Sequence, residues 1–257
     1  MMLLQNTEKK RLSKWGSYKM EWYEELDFDE DPFSVDPREN HEGLQNMQDI
    51  IDEMFYRINS GSMLVIEGDS GNGKTSTLMV AANKFGGRGK VVYVDCEKLD
   101  NNLNITHVLQ DKYGLIGRMF NKKPKNMVVL LDNVHHLSKV NTERLKYYFD
   151  QNYIKSIIFT CENFKKAKFT DSLRDRIGKR VVNIPKLSDD DAVEIVRYRI
   201  DDSELFNDKL IKKIFKLSKS SVKLLLENCS KAAKSAVAKE RKRVQLADLK
   251  FLLREEK

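Results

Sequence analysis

Gly68-Asp69-Ser70-Gly71-Asn72-Gly73-Lys74-Thr75 has the spacing G-x-x-x-x-G-K-[ST]. Glycines so placed let the backbone curl until successive N–H groups converge on one anion. Lys74 brings a point charge to the outer phosphates of a nucleotide, and the Thr75 hydroxyl is a ligand for Mg²⁺. The loop and Ser76 beyond it are therefore expected to line the phosphates. The flanks agree. Residues 62–67, Ser-Met-Leu-Val-Ile-Glu, predict a buried strand. Residues 76–85 predict a helix that stops at Gly86-Gly87. Strand, loop and helix in this order aim a helix N-terminus at the phosphate. Alone, the glycines would equally describe a flexible turn; the strand and helix on either side favour the phosphate site.

Outward from the loop, the chain alternates. Residues 90–95 (Lys-Val-Val-Tyr-Val-Asp), 127–132 (Met-Val-Val-Leu-Leu-Asp), 156–160 (Ser-Ile-Ile-Phe-Thr) and 180–184 (Arg-Val-Val-Asn-Ile) predict four more strands. Helical patterns lie at 44–58, 106–120 and 142–152. The expectation is an α/β fold: a parallel five-stranded sheet with helices on both faces. Pro185 closes the fifth strand. Beyond it the pattern is all-helical, at 189–200 (capped by Ser188, with Asp191 where a capping box prefers Glu or Gln), 208–217, 222–236 and 245–253. Three segments follow: an N-terminal arm at 1–40, a core at 41–186 and a small all-helical lid at 187–257.

The 257 residues carry a net charge of +7, unevenly spread. Residues 1–20 hold Lys9, Lys10, Arg11, Lys14 and Lys19 against Glu8, whereas 21–60 hold thirteen acidic residues against Arg38 and Arg57. The basic remainder suits a polyanionic partner, or is a solvated lysine-rich surface. Cys96, Cys161 and Cys229 form no C-x-x-C pair and are expected to be reduced thiols of a cytoplasmic protein, with no zinc site. Met1-Met2-Leu3-Leu4-Gln5 turns polar too soon for a signal sequence, and the longest apolar runs are strand-sized, so no membrane segment is expected.

Parallel sheets bind ligands at the carboxyl ends of their strands. There the sequence puts the loop, Asp95, Asp132 with Asn133, and Thr160 with Glu162 and Asn163. Asp132, after four apolar residues, is placed to hold Mg²⁺ beside Thr75, or else to cap the next turn. Asn133 stands where a water-orienting acid would serve hydrolysis. An amide can hydrogen-bond water but cannot take its proton. Turnover is then slow, or Glu162, Asp95 or His135 supplies the base. In Ser172-Leu173-Arg174-Asp175-Arg176-Ile177 an arginine can reach a neighbouring subunit's γ-phosphate, or pair with Asp175. Lys223 is either a phosphate contact from the lid or a solvated lysine.

Over residues 25–250 this order resembles the AAA+ P-loop ATPases. Leu26-Asp27-Phe28-Asp29-Glu30-Asp31-Pro32-Phe33-Ser34 is similar to the G-L-x-x-x-P-F entry of the branch that holds origin-recognition initiators and ExeA-like ATPases. The order of 173–177, Ile184-Pro185-Lys186-Leu187-Ser188 and Val196-Arg197-Tyr198-Arg199 is similar to that branch's sensor-to-lid junction. The resemblance implies ATP with Mg²⁺, Pro32 and Phe33 beside the adenine, and Thr160 or Asn163 as first sensor. It also implies Arg176 in the finger segment acting within a homo-oligomer, and Lys223 where the second sensor is usually Arg. DNA or a DNA-bound protein complex is the implied target. The chain ends after the lid, so a winged-helix DNA module is not expected.

Overall fold

Five apolar runs pair side by side into one parallel sheet: β1 (Met63–Glu67), β2 (Val91–Asp95), β3 (Met127–Asp132), β4 (Ile154–Cys161) and β5 (Val181–Asn183), in the order β2-β3-β4-β1-β5. The structure is a computed structural model that describes residues 20–39, 43–44, 46–86, 90–98, 125–201, 203–250 and 252. The helix expected at 106–120 and all the basic residues of segment 1–20 lie outside them.

β3 is buried along its whole length, as a strand covered on both faces must be. Side chains alternate across the sheet. Leu64, Ile66, Leu130 and Ile158 pack on one face against Met54 and Ile58 of α1 (Gln48–Ser60) and Leu78 of α2 (Lys74–Gly86). Val65, Val129, Leu131 and Phe159 pack on the other against Leu145 of α3 (Lys139–Asp150) and Leu173 and Ile177 of α4 (Asp171–Ile177). The register sets Asp95 opposite Asp132 and Glu67 opposite Cys161, so the polar strand ends come level along one edge.

The chain divides into two compact units. Pro37–Lys186 holds the sheet; the other unit joins Met1–Asp36 to Leu187–Lys257. The arm expected at 1–40 thus does not stand apart in its described portion. Phe33 is 2% exposed, its ring stacked on Trp22 and edge-on to Phe206, and Leu26 and Phe28 pack on the same helical core. These rings are too apolar to remain in water when a helical core lies within reach.

That core is built by α5 (Asp189–Arg199), α6 (Asp208–Leu217) and α7 (Val222–Val237), each opened by a side-chain cap from Ser188, Asn207 or Ser221. Asp191 does complete the capping box of α5: Ser188 N donates to Asp191 Oδ2 at 2.7 Å, and Asp191 N to Ser188 Oγ at 3.1 Å. A carboxylate one methylene shorter than Glu still reaches back. Residues 246–249, expected within a fourth helix, form a 3₁₀ turn (Leu246–Leu249). Among the described residues no helix is long and apolar enough to cross a membrane.

The turn after α7 is pinned by a buried acid. Asp248 Oδ1 accepts from Arg241 (2.6 Å), Lys239 (2.7 Å) and Ser235 (3.1 Å), and Oδ2 accepts from Gln245 N (2.9 Å). Burial alone would raise its pKa, but the bonds from Arg241, Lys239, Gln245 N–H and Ser235 outweigh it and hold the carboxyl far below the usual range. A carboxyl whose folded pKa is depressed contributes stability above its unfolded pKa of about 4 and loses it as pH falls further. Asp248→Asn should therefore destabilise by roughly 1.5–3 kcal/mol at pH 7. Its deficit relative to the wild type should narrow in thermal melts taken from pH 5 down to 2. Melting curves that stay parallel across that range would contradict this.

Candidate functional site

The loop between β1 and α2 takes its shape from two constraints. Gly73 has φ +90°, a conformation that L side chains rarely adopt. Gly68 lies against Ile184 so closely that a Cβ would sit 2.9 Å from the Ile184 Cβ. Lys74, the first residue of α2, is 7% exposed and curls back, its Nζ donating to Gly68 O (2.8 Å) and Asp69 O (2.9 Å). Burial lowers the pKa of its ammonium; the fields of Glu162 and Asp132 act the other way. Asp69 and Ser70 are exposed at the crest of the loop, with Gly71, Asn72, Thr75 and Ser76 half-buried below.

Asp132 is the centre of the site. It is 1% exposed, and all its described hydrogen-bond partners donate to it. Oδ2 accepts from Thr75 Oγ1 (2.6 Å) and Tyr93 OH (3.1 Å). Oδ1 accepts from Asn133 N (3.1 Å) and from the buried Thr160 hydroxyl. Asn133 N also donates to Thr160 Oγ1 (3.2 Å), and Asn133 Nδ2 to Asp95 Oδ1 (3.1 Å). Asn133 has φ 53°, a left-handed conformation that Asn accepts more readily than most residues. Burial and the neighbouring Asp132 raise the Tyr93 pKa, so the phenol keeps its proton and donates. Burial would also raise Asp95, but hydrogen bonds from Asn133 and Glu97 N–H and the Lys98 ammonium lower it, keeping a charge there.

The structure brings Lys74, Thr75, Asp132, Asn133 and Thr160 together. Asn163 is not part of that group: its Oδ1 accepts from Lys166 N (3.0 Å) and closes a turn after β4. Arg174 and Arg176 have different surroundings. Arg174 is folded onto the loop at 164–167, donating to Phe164 O (2.9 Å) and Ala167 O (2.5 Å) over the Phe164 ring. Arg176 is half-exposed and pairs with Asp150 (2.9 Å), not with Asp175, above the Phe149 ring. Lys223 is exposed on the first turn of α7, in the helical unit. Pro32 and Phe33 belong to that unit as well. Phe33, expected beside the adenine, is buried in that unit, its ring stacked on Trp22 and at right angles to Phe206.

Sequence reasoning missed Tyr93 as a partner of Asp132. The signal was faint: Tyr93 is the exposed residue of an otherwise apolar strand, in Val-Val-Tyr-Val-Asp. The Asp95–Asn133 contact was likewise invisible, because it depends on the pairing of β2 with β3.

Residues 64–184 match the family model of the ATPase family associated with various cellular activities (AAA). The chain is 25% identical over 181 residues to the ORC1-type DNA replication protein 2 of Saccharolobus solfataricus, a stretch that is 58% of this chain and 43% of that relative. The fold is that of Cdc6p from Pyrobaculum aerophilum (TM-score 0.72, 15% identity, 89% of this chain and 71% of that one). It is also that of the Aeropyrum pernix ORC1 protein, solved in complex with DNA (TM-score 0.69, 12% identity, 82% and 65%). The Thermotoga maritima RuvB Holliday junction branch migration motor is similar as well (TM-score 0.60, 12% identity, 80% and 68%).

Proposed function

We propose that the chain binds Mg-ATP at the 68–76 loop and uses binding and hydrolysis as a conformational switch on DNA or a DNA-bound protein complex, in the cytoplasm. The observation that carries this reading is the 2.6 Å contact of Thr75 Oγ1 with Asp132 Oδ2, directly beside the loop. It joins two hard oxygen donors, the ligand type Mg²⁺ takes. Thr75 and Asp132 would hold the ion, which neutralises charge on the phosphates when bound. Lys74 and the loop N–H groups would hold the phosphates, with Gly68, Gly71 and Gly73 allowing the backbone its approach. Thr160, through its bond to Asp132, would report the state of the site. Pro32 keeps its proposed place at the adenine end, and Lys223 its place as a lid contact. Arg176, half-exposed, is better placed than Arg174 to serve a neighbour in a homo-oligomer.

DNA as target is supported by the replication-protein relative and by the basic balance of residues 61–257. A second reading, a nucleotide-dependent scaffold that turns over little, is favoured by Asn133 in the water-orienting position.

Steady-state ATP hydrolysis with and without duplex DNA, at several protein concentrations, tests both. We expect turnover that rises with DNA and more than linearly with protein concentration, and loses the second dependence in Arg176→Ala. Tight ATP binding with no turnover under any condition would favour the scaffold. DNA binding whose affinity ignores salt would remove the polyanion, because neutralising phosphates releases counterions.

A further inference from the structure

We infer that Asp95 is the carboxylate that aligns and deprotonates the attacking water, reached across the sheet by Asn133. This rests on the Mg-ATP reading above and assigns the base that the sequence leaves open. The position after Asp132 carries an amide, but the structure does not leave it without an acid. β2 and β3 pair in a register that puts Asp95 opposite Asp132, one residue short of Asn133. The Asn133 side chain closes that step, its Nδ2 donating to Asp95 Oδ1 at 3.1 Å. Asn133 is itself fixed by its N–H bonds to Asp132 Oδ1 and Thr160 Oγ1.

The two oxygens of Asp95 are unequally occupied. Oδ1 accepts from Asn133 Nδ2 and from Glu97 N (3.2 Å). Oδ2 faces Lys98 at 3.3 Å, a side chain that is 81% exposed and so holds its partner weakly. Oδ2 can therefore exchange that exposed ammonium for water. In the step, a water oxygen attacks the γ-phosphorus while the bond to the β–γ bridging oxygen breaks. The bridging oxygen keeps the electron pair and leaves with ADP, and the water proton passes to Asp95 Oδ2. The rival groups are less connected. Glu162 is exposed beyond β4, and the buried Nδ1 of His135 has no hydrogen-bond partner. Neither makes a described hydrogen bond to Asp132, Asn133 or Thr160.

The test is an exchange. Asp95→Asn keeps an Oδ1 acceptor for Asn133 and Glu97 N–H, so the fold and the nucleotide affinity should persist. Turnover should fall roughly 100-fold, the scale of one lost general base. ATP incubated with this variant and recovered from it by gel filtration should remain ATP where the wild type yields ADP. The double variant Asp95→Asn with Asn133→Asp moves the carboxylate to the other member of the pair and should regain at least tenfold. Undiminished turnover in Asp95→Asn would overturn the assignment. So would a wild type that binds ATP but never hydrolyses it, or a loss confined to His135→Ala or Glu162→Gln. A wild type with no affinity for ATP would instead sink the underlying reading, and the assignment with it.

Discussion

Lys74→Ala should lower affinity for ATP about a thousandfold while leaving the chain folded. The ammonium makes two hydrogen bonds within the loop, to Gly68 O and Asp69 O, and stands where the outer phosphates would compete for it. A hydrogen bond to a charged group is worth about 1.5–3 kcal/mol, so two such contacts to phosphate amount to roughly 3–6 kcal/mol. At about 1.4 kcal/mol per factor of ten, that is on the order of 10²–10⁴ in affinity. The fold should tolerate the change for three reasons. Alanine is the best helix former and Lys74 begins α2. The loop's curl is set by Gly73 at positive φ and by the fit of Gly68 against Ile184, neither of which needs the ammonium. Asp69 is exposed, so its carbonyl can exchange the lost donor for water. Calorimetric titration with ATP and a thermal melt without nucleotide separate the two effects. Unchanged affinity with an unchanged melt would remove the phosphate loop from the account.

The sequence made local features legible and lateral ones obscure. β3 was readable to the residue, Met127–Asp132, because an apolar run ending on an acid carries its own boundary. α6 coincides with the helical pattern at 208–217, whose buried Leu210, Ile211, Ile214 and Phe215 recur at helical spacing. The loop follows from its spacing together with the strand and helix on either side, and Asp132 from the apolar run before it. Which arginine of 173–177 is bound and which is half-free does not. Arg174 and Arg176 lie about 200° apart on a helix, so one must turn toward the loop at 164–167, but the sequence does not say which. The burial of Phe33 is not legible locally, because an aromatic beside a proline has the same pattern in a nucleotide pocket and in a core. Its burial against Phe206 is a contact across more than a hundred and seventy residues. The Tyr93–Asp132 and Asp95–Asn133 bonds depend on strand register, which side-chain alternation constrains but does not fix between parallel neighbours.

Asp132→Asn should abolish the dependence of ATP binding on Mg²⁺ and reduce turnover on the order of a thousandfold. The substitution changes almost no volume, and the site can absorb it. Oδ1 would still accept from Asn133 N and the Thr160 hydroxyl, while the new amide N–H₂ would face Thr75 Oγ1 and Tyr93 OH. Both are hydroxyls, which can rotate from donating to accepting. The fold should therefore survive with a modest loss, since no buried polar atom is forced to go unpaired. What does not survive is the charge. A neutral amide beside Thr75 is a poor partner for a small, strongly hydrated dication. Several kcal/mol of charge stabilisation disappear with it, and each 1.36 kcal/mol is tenfold in rate. The discriminating measurement is ATP affinity with Mg²⁺ and with EDTA. In the wild type we expect Mg²⁺ to tighten binding; in Asp132→Asn the two values should converge on the wild-type value in EDTA. A variant that still responds to Mg²⁺ like the wild type would show that Asp132 caps the turn at 134–136 and that the ion is held elsewhere.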